Sequence, residues 1–301
     1  MSFLDLGPAL LFCPADRPDR FEKAAARADA VILDLEDAVT PESKDQAREN
    51  LVHALNWQEP GLQLERTLVR INTAVSGHQE ADLEALAGTE VRFVVVPKCD
   101  SPEQLDAVAQ ALPEAQLIPQ IETPAGVLAA QALAAHGSVA ALFWGTEDLI
   151  AGLGGTSARG PGGAFRHVIR HARAHLLLAA GAHGVAAIDT IYPAIQDTTG
   201  LAQEASDAAA EGFIAKACIH PQQVETVRAA YAPEPSHVEW AKALLVEFAS
   251  AASITPEEAR TAEASMVGAF SFRAEMIDAP VIIQAQRILQ RHSATLSPEA
   301  A

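Results

Sequence analysis

The 301-residue sequence predicts a (β/α)₈ TIM barrel followed by a C-terminal helical extension. Three observations predict it. Eight short apolar runs recur along the chain, most of them continuous rather than alternating, as in parallel strands buried on both faces. Helix-length segments separate most of the runs, and eight such units in about 230 residues match the size of this barrel. An open doubly wound sheet is the alternative, but it seldom needs eight units. The runs are 9–14, 30–35, 67–72, 93–98, 117–122, 141–145, 185–191 and 213–219.

Helix start signals support four of the eight units. Pro14, Pro97, Pro124 and Pro221 lie at or just after the ends of apolar runs, where proline favours the first turn of a helix. The glycine-rich segment 152–163 follows the sixth run and predicts a loop at the barrel mouth. It contains no Walker lysine, which argues against a P-loop.

The chain changes character near its end. We predict a barrel domain at 1–232 and an extension at 233–301 that is not a further barrel unit and that either covers its own barrel or reaches a neighbouring subunit in an oligomer. Within the extension, helices are predicted at 234–252 and 280–292, with a polar linker or short helix between them.

Composition restricts the partners. The chain has 39 acidic and 21 basic residues and a formal charge of −18, which disfavours nucleic acid and anionic membranes. No apolar run approaches the roughly 20 residues of a membrane span. Three widely spaced cysteines without a CxxC pair argue against zinc and predict buried, reduced thiols. Together with an N-terminus that does not resemble a signal peptide, they predict a cytoplasmic protein.

Charged residues, Asp189 among them, end several of the predicted strands, where active sites of such barrels lie. Crowded carboxylates repel one another unless a cation sits between them, and oxygen ligands without a histidine or cysteine cluster favour Mg²⁺. Glu122 and Asp148 end adjacent strands and are the predicted metal ligands; the alternative is that they cap the helices that follow.

Two basic features complete the candidate site. Arg70 ends an otherwise apolar strand, and its planar guanidinium could hold a substrate carboxylate or form a structural pair with Glu36 or Glu122. Three basic residues follow the first strand and form either a phosphate site or a solvated helix face: Arg17, Arg20 and Lys23.

Together these segments resemble the citrate lyase beta-subunit-like family of the HpcH/HpaI aldolase/citrate lyase superfamily, which includes citramalyl- and malyl-CoA lyases. The likeness covers nearly the whole chain in order. It rests on Leu-Phe-Cys-Pro-Ala-Asp-Arg-Pro (11–18), Val-Ile-Leu-Asp-Leu-Glu-Asp-Ala-Val (31–39), Val-Arg-Ile-Asn (69–72), Pro-Lys (97–98), Ile-Glu-Thr (121–123), Trp-Gly-Thr-Glu-Asp-Leu (144–149), Cys-Ile-His-Pro (218–221), Gly-Ala-Phe (268–270) and Met-Ile-Asp-Ala-Pro (276–280).

The resemblance implies a Mg²⁺-dependent carbon–carbon lyase that cleaves citryl-, citramalyl- or malyl-thioesters to an acetyl thioester and a 2-oxo acid. It implies that Glu122 and Asp148 bind the metal and that Arg70 holds the oxo acid. Asp34 and Glu36 would lie around the metal-bound waters, and Glu36 is a predicted catalytic residue. By the same likeness Arg17, Arg20 and Lys23 would contact cofactor phosphates. Asp278 would be a catalytic acid contributed by a neighbouring subunit, which implies a homotrimer or a multiple of it.

Two departures qualify the resemblance. The segment 254–265 is longer than its counterpart in stand-alone members, which affects the placement of Asp278. The start of the chain resembles stand-alone members, which favours CoA thioesters over carrier-bound ones. A metal-dependent aldolase on free hydroxy-oxo acids and a subunit of a larger lyase complex are the alternatives.

Overall fold

The computed structural model describes residues 6–57 and 61–296, and the chain divides into two compact units, Met1–Ala230 and Tyr231–Ala301. The first unit is a closed barrel of eight parallel strands in sequential order, in which β1 pairs with both β2 and β8. The predicted (β/α)₈ fold is therefore confirmed. The strands are β1 (Ala9–Pro14), β2 (Ala30–Asp34), β3 (Thr67–Arg70), β4 (Phe93–Val96), β5 (Gln116–Ile121), β6 (Ala141–Trp144), β7 (Ala186–Asp189) and β8 (Ala215–Cys218).

Helices follow the strands and form the outer layer. Thr123 caps one of them by accepting a hydrogen bond from the backbone N–H of Gly126, with Pro124 at the first helical position. The helices of this unit are α1 (Phe21–Arg27), α2 (Lys44–Trp57), α3 (Gln79–Leu86), α4 (Pro102–Ala111), α5 (Pro124–Ala134), α6 (Thr146–Gly152), α7 (His167–His183), α8 (Thr198–Glu211) and α9 (Gln223–Tyr231, whose last residue opens the second unit).

Alternate residues of the strands fill the barrel interior. Leu10, Ile32, Leu68, Ile118 and Phe143 belong to one buried apolar cluster, as expected when successive side chains point to opposite faces of a strand. The residues between them face the helices. This alternation determines which strand-end residues continue the interior rows and which enter the helix layer.

Asp189 at the end of β7 belongs to the helix layer. It is fully buried and accepts hydrogen bonds from Trp144 Nε1 at 3.0 Å and Lys216 Nζ at 2.8 Å. Lys216 also pairs with Glu204 at 2.9 Å, and Arg173 lies 3.3 Å from Asp189. The expectation that Asp189 contributes to the charged rim is therefore wrong, because its side chain points away from the interior and is neutralised by buried cations.

The second unit has its own apolar core. Helices α10 (Pro235–Ala252) and α11 (Ala279–Leu296) contribute Leu244, Phe248 and Ile282 to it. An antiparallel hairpin, which the sequence did not predict, joins β9 (Phe270–Phe272) to β10 (Glu275–Ile277). Asp278 lies exposed between β10 and α11.

The remaining sequence expectations concern cysteines and membranes. All three cysteines are free and buried, and burial raises the pKa of Cys13 to about 11 and the pKa values of Cys99 and Cys218 to about 12. Within residues 6–57 and 61–296, none of the helices combines the length and the apolar character that crossing a bilayer requires.

Candidate active site

A charged layer caps the apolar interior at the C-terminal ends of the strands. Strand alternation directs three charged side chains into the barrel mouth, because each lies an even number of residues beyond an interior residue of its own segment. Asp34 lies two residues beyond Ile32, Arg70 lies two beyond Leu68, and Glu122 lies four beyond Ile118. The register of β2 and β3 makes Asp34 and Arg70 direct neighbours. The fold thus concentrates buried charge where the strands end.

Arg70 is held from two sides. Its Nε and Nη2 donate to the two carboxylate oxygens of Asp34 at 2.7 and 2.6 Å, and its Nη1 lies 3.0 Å from Glu36 Oε2. The guanidinium also lies 4.7 Å above the ring of Phe12. The structural pair with Glu36 that the sequence left open is present, and Asp34 is a stronger partner that it did not predict. A guanidinium has five N–H donors, and Asp34 accepts hydrogen bonds from two of them, so three remain for another anion.

Asp34 is committed to this scaffold. Besides Arg70, its carboxylate accepts hydrogen bonds from the backbone N–H groups of Glu36 at 2.9 Å and Ala38 at 3.1 Å. Four donors occupy the roughly four lone-pair sites of a carboxylate. Asp34 thus orients Arg70 and the loop after β2, and its implied place around metal-bound water stays a prediction.

Glu36 is fixed through its backbone by a buried lysine. Lys44 Nζ donates to the carbonyl oxygens of Leu35 at 2.6 Å and Glu36 at 2.7 Å. Burial raises the pKa of Glu36 above its ordinary value, although Arg70 and Lys98 oppose the effect. Glu36 is thus a held carboxylate whose proton affinity is increased.

Glu122 occupies a tight position at the end of β5. Its Oε2 accepts a hydrogen bond from Gln120 Nε2 at 2.5 Å, and its Oε1 accepts one from the backbone N–H of Lys98 at 3.1 Å. A Cβ on Gly145 would lie 2.6 Å from Oε2, so only glycine leaves room for this carboxylate. Burial, with the charge of Glu36 added to it, raises the pKa of Glu122 to about 7. A nearby cation would therefore stabilise the ionised form of Glu122.

Lys98 is the site residue to which the sequence pattern assigned no role. Its Nζ lies 2.8 Å from Glu36 Oε1, 3.4 Å from Asp148 Oδ1 and 3.9 Å from Glu122 Oε1. Burial lowers the pKa of Lys98, but the hydrogen bond and charge of Glu36 more than offset this, so the pKa lies above its ordinary value. Its backbone has φ 47°, a left-handed conformation unusual for a non-glycine residue and typical of functional sites.

Asp148 lies where either of its predicted roles is open to it, and its role as a metal ligand stays a prediction. It lies in the first turn of α6, where a carboxylate complements the helix dipole, and its side chain is 45% exposed beside the ammonium of Lys98. Glu122 does not cap a helix, since Thr123 is the capping residue of α5.

The rim carries an excess of negative charge that favours a bound cation. Five carboxylates (Asp34, Glu36, Asp37, Glu122, Asp148) lie within ion-pair distance of two cations (Arg70, Lys98), which leaves three negative charges if all are ionised. Two buried acceptors, Glu36 Oε2 and Gln120 Oε1, make no hydrogen bond within the described residues. Across residues 6–57 and 61–296, no three acidic, histidine or cysteine side chains form a metal site by themselves. Two carboxylates with water and substrate are the usual surroundings of Mg²⁺.

The predicted phosphate contacts lie after β1. Arg17, Arg20 and Lys23 are exposed, and Arg17 is paired with Asp19 through two hydrogen bonds of 2.9 Å. Arg20 and Lys23 are thus accessible to a solvent-borne anion, whereas Arg17 would exchange its partner.

The barrel with charged strand ends has the architecture of an enzyme, and the family match and relatives of the chain identify the class as carbon–carbon lyases. Residues 9–221 match the HpcH/HpaI aldolase/citrate lyase family, and the chain belongs to this family. The predicted resemblance is therefore confirmed.

Three curated relatives are similar over most of their length. A citrate lyase subunit beta-like protein of Mycobacterium tuberculosis is 43% identical over 97% of this chain and 97% of its own. A (3S)-malyl-CoA thioesterase of Cereibacter sphaeroides is 34% identical over 81% of this chain and 83% of its own. The human mitochondrial citramalyl-CoA lyase is 30% identical over 92% of this chain and 83% of its own.

A solved structure agrees with these relatives. The crystal structure of the Mycobacterium tuberculosis protein CitE in complex with magnesium, acetoacetate and coenzyme A has a TM-score of 0.79 and 44% sequence identity, and it covers 95% of this chain and 98% of its own.

Proposed function

We propose that this protein is a magnesium-dependent lyase that cleaves a 3-hydroxyacyl-CoA of the citryl, citramalyl or malyl type into acetyl-CoA and a 2-oxo acid. The observation that carries the proposal is the rim cluster, in which Glu122 and Asp148 approach one ammonium beside the guanidinium of Arg70. A chain 44% identical to this one has been crystallised with magnesium, acetoacetate and coenzyme A, which supports the same ligands here.

In this proposal Glu122 and Asp148 hold the metal. A bound Mg²⁺ supplies Lewis-acid stabilisation of negative charge on substrate oxygens. Arg70 binds the carboxylate of the departing oxo acid through N–H groups that its hydrogen bonds to Asp34 leave free. Because Asp34 fixes the guanidinium before substrate arrives, little ordering entropy is lost on binding.

Proton transfer is assigned to two carboxyl groups. Glu36, whose pKa is raised by burial, accepts the proton of the substrate hydroxyl. The carbon–carbon bond then breaks, its electron pair forms the enolate of the acetyl thioester, and the hydroxyl carbon becomes the oxo group. The protonated carboxyl group of Asp278 from a neighbouring subunit donates a proton to the enolate carbon, and exchange with solvent then removes the proton from Glu36 and returns one to Asp278.

The role of Asp278 requires an oligomer, and we propose a homotrimer or a multiple of it, with the extension at 233–301 over the neighbouring barrel mouth. Mixing Arg70→Ala and Asp278→Asn variants tests this, because a shared site regains activity in mixed oligomers. Two inactive variants that stay inactive after mixing and subunit exchange would refute it.

Three buried free thiols support a reducing cytoplasmic location.

The CoA moiety is proposed to bind near the basic residues after β1. Arg20 and Lys23 contact its phosphates, and Arg17 joins them by leaving Asp19. This contact separates the lyase from an aldolase on free hydroxy-oxo acids, since only the former binds CoA measurably in calorimetry. Full turnover by the purified chain separates it from a dependent subunit of a larger complex.

Thioester hydrolysis is the second candidate, favoured by the 34% identity to a malyl-CoA thioesterase. The test is a panel of citryl-, citramalyl- and malyl-CoA assayed with Mg²⁺ for 2-oxo acid, acetyl-CoA and free CoA. Acetyl-CoA and oxo acid in equal amounts identify a lyase, whereas free CoA with intact hydroxy acid identifies a thioesterase.

Glu122→Ala and Asp148→Ala should abolish magnesium-dependent turnover. Unchanged magnesium dependence in both would contradict the metal assignment.

A further inference from the structure

The ammonium of Lys98 lies close to both carboxylates that are proposed to bind the metal. It lies within 4 Å of an oxygen of each proposed ligand, 3.9 Å from Glu122 Oε1 and 3.4 Å from Asp148 Oδ1. Its strongest contact, at 2.8 Å, is with Glu36. One flexible cation thus interacts with three carboxylates that come from three different strand ends.

The backbone of Lys98 supports a specific role for this contact. Strand alternation would give Lys98 the outward direction of Val94 and Val96, since Phe93 and Val95 belong to the interior cluster. The left-handed conformation at φ 47° interrupts the alternation, and the side chain enters the rim cluster. A lysine in this region of the Ramachandran map is strained, and such strain persists only where the surroundings enforce it.

The same residue also contacts Glu122 through its backbone, whose N–H donates to Oε1 at 3.1 Å. That bond depends on the backbone and survives any side-chain substitution that keeps the turn. The ammonium can therefore be removed without removing the hydrogen bond that orients Glu122.

We propose that Lys98 is an internal counter-cation that competes with the divalent metal for Glu122 and Asp148 and so lowers the affinity of the free enzyme for Mg²⁺. Its side chain is 31% exposed, which leaves it room to withdraw toward Glu36 when the metal binds. The ammonium keeps the carboxylates compatible with folding without metal, and the metal remains exchangeable. This inference rests on the proposed metal site.

Metal binding without substrate tests the proposal directly. Mg²⁺ is titrated by calorimetry, and Mn²⁺ by paramagnetic resonance, into wild type, Lys98→Met, Lys98→Arg and Lys242→Met. Methionine keeps the unbranched shape and removes the charge, arginine keeps the charge, and Lys242 is an exposed lysine outside the rim cluster. Lys98→Met should bind the metal about tenfold or more tightly, as Coulomb's law gives for one charge about 5 Å from a divalent ion in water.

Neither control variant should bind the metal more tightly than wild type. The thermal midpoint should also rise more on metal addition in Lys98→Met than in wild type, because the metal neutralises carboxylates that have lost their counter-ion. If Lys98→Met fails to fold, Lys98→Asn replaces it, since asparagine is neutral and tolerates positive φ.

The outcomes separate this inference from the proposed function. In one outcome, wild type binds the metal, Glu122→Gln abolishes that binding, and the neutral Lys98 variants bind the metal with unchanged or weaker affinity. This result overturns the role of Lys98 and leaves the lyase proposal intact. Absence of metal binding by wild type and all variants overturns the metal site itself.

Discussion

The contact between Gly145 and Glu122 gives the sharpest prediction, Gly145→Ala. An added Cβ would lie 2.6 Å from Glu122 Oε2 and 3.0 Å from its Cβ, whereas ordinary contacts begin at 3.4 Å. The carboxylate must therefore move by about 0.8 Å on that contact alone. The backbone of Gly145, at φ −124° and ψ 134°, suits alanine, so the effect arises from the methyl group and not from strain.

The displacement should weaken the bonds that Glu122 receives from Gln120 and from the backbone of Lys98. We expect kcat/KM to fall by roughly 100-fold, the order of magnitude for an ångström-scale misplacement in an active site. Metal affinity should fall by about 10-fold or more. Both are measured with the best thioester of the panel and by Mg²⁺ titration.

Gly181→Ala is the matched control. Gly181 lies in α7, and an added Cβ would meet no atom within 4 Å apart from the adjacent backbone of its own helix, so the substitution should leave activity unchanged and stabilise the helix slightly. If Gly145→Ala folds normally and keeps wild-type turnover and metal affinity, the position of Glu122 does not govern the chemistry and the site assignment fails.

Three further outcomes are expected. Lys216→Met should reduce the free energy of unfolding by about 3–5 kcal/mol in urea titrations, because Asp189 and Glu204 lose a fully buried cation; a loss below about 1 kcal/mol would contradict the network. In EDTA, the free energy of unfolding should fall by about 3 kcal/mol as pH rises from 4.5 to about 7, because the raised pKa of Glu122 lets the folded state keep its proton to higher pH than the unfolded state. Glu122→Gln should remove this pH dependence, and a dependence that persists in the variant would contradict the assignment to Glu122. The double variant Arg273→Asn with Ala274→Gly should raise the thermal midpoint and increase the free energy of unfolding by about 1–2 kcal/mol, because both residues have positive φ in a two-residue hairpin turn that favours Asn-Gly. A lower midpoint would contradict the turn geometry.

The barrel was predictable because burial on both faces leaves a strong signal. Each continuous apolar run overlaps a strand of the closed sheet, so most of the charged residues that end those runs lie at one rim, and Asp189 is an exception. This rule was sufficient to predict that Arg70, Glu122 and Asp148 lie in the same region. The hairpin of the second unit was missed because β9 and β10 have only three residues each.

The partners of these residues required the tertiary structure. The pairing of Asp34 with Arg70 follows from the register of β2 and β3, which no local pattern in the sequence encodes. Lys98 reaches the rim through a left-handed backbone that its residue type disfavours, so propensity argued against it.

Sequence alone thus determined that charge gathers at one end of a parallel barrel and which chain segments supply it. It did not determine the direction of each side chain, and Asp189 shows why. A strand buried on both faces has no alternation of polar and apolar residues, so the sequence contains no mark of which residues face the interior. Only the closed sheet assigned Glu122 to the barrel mouth and Asp189 to the helix layer.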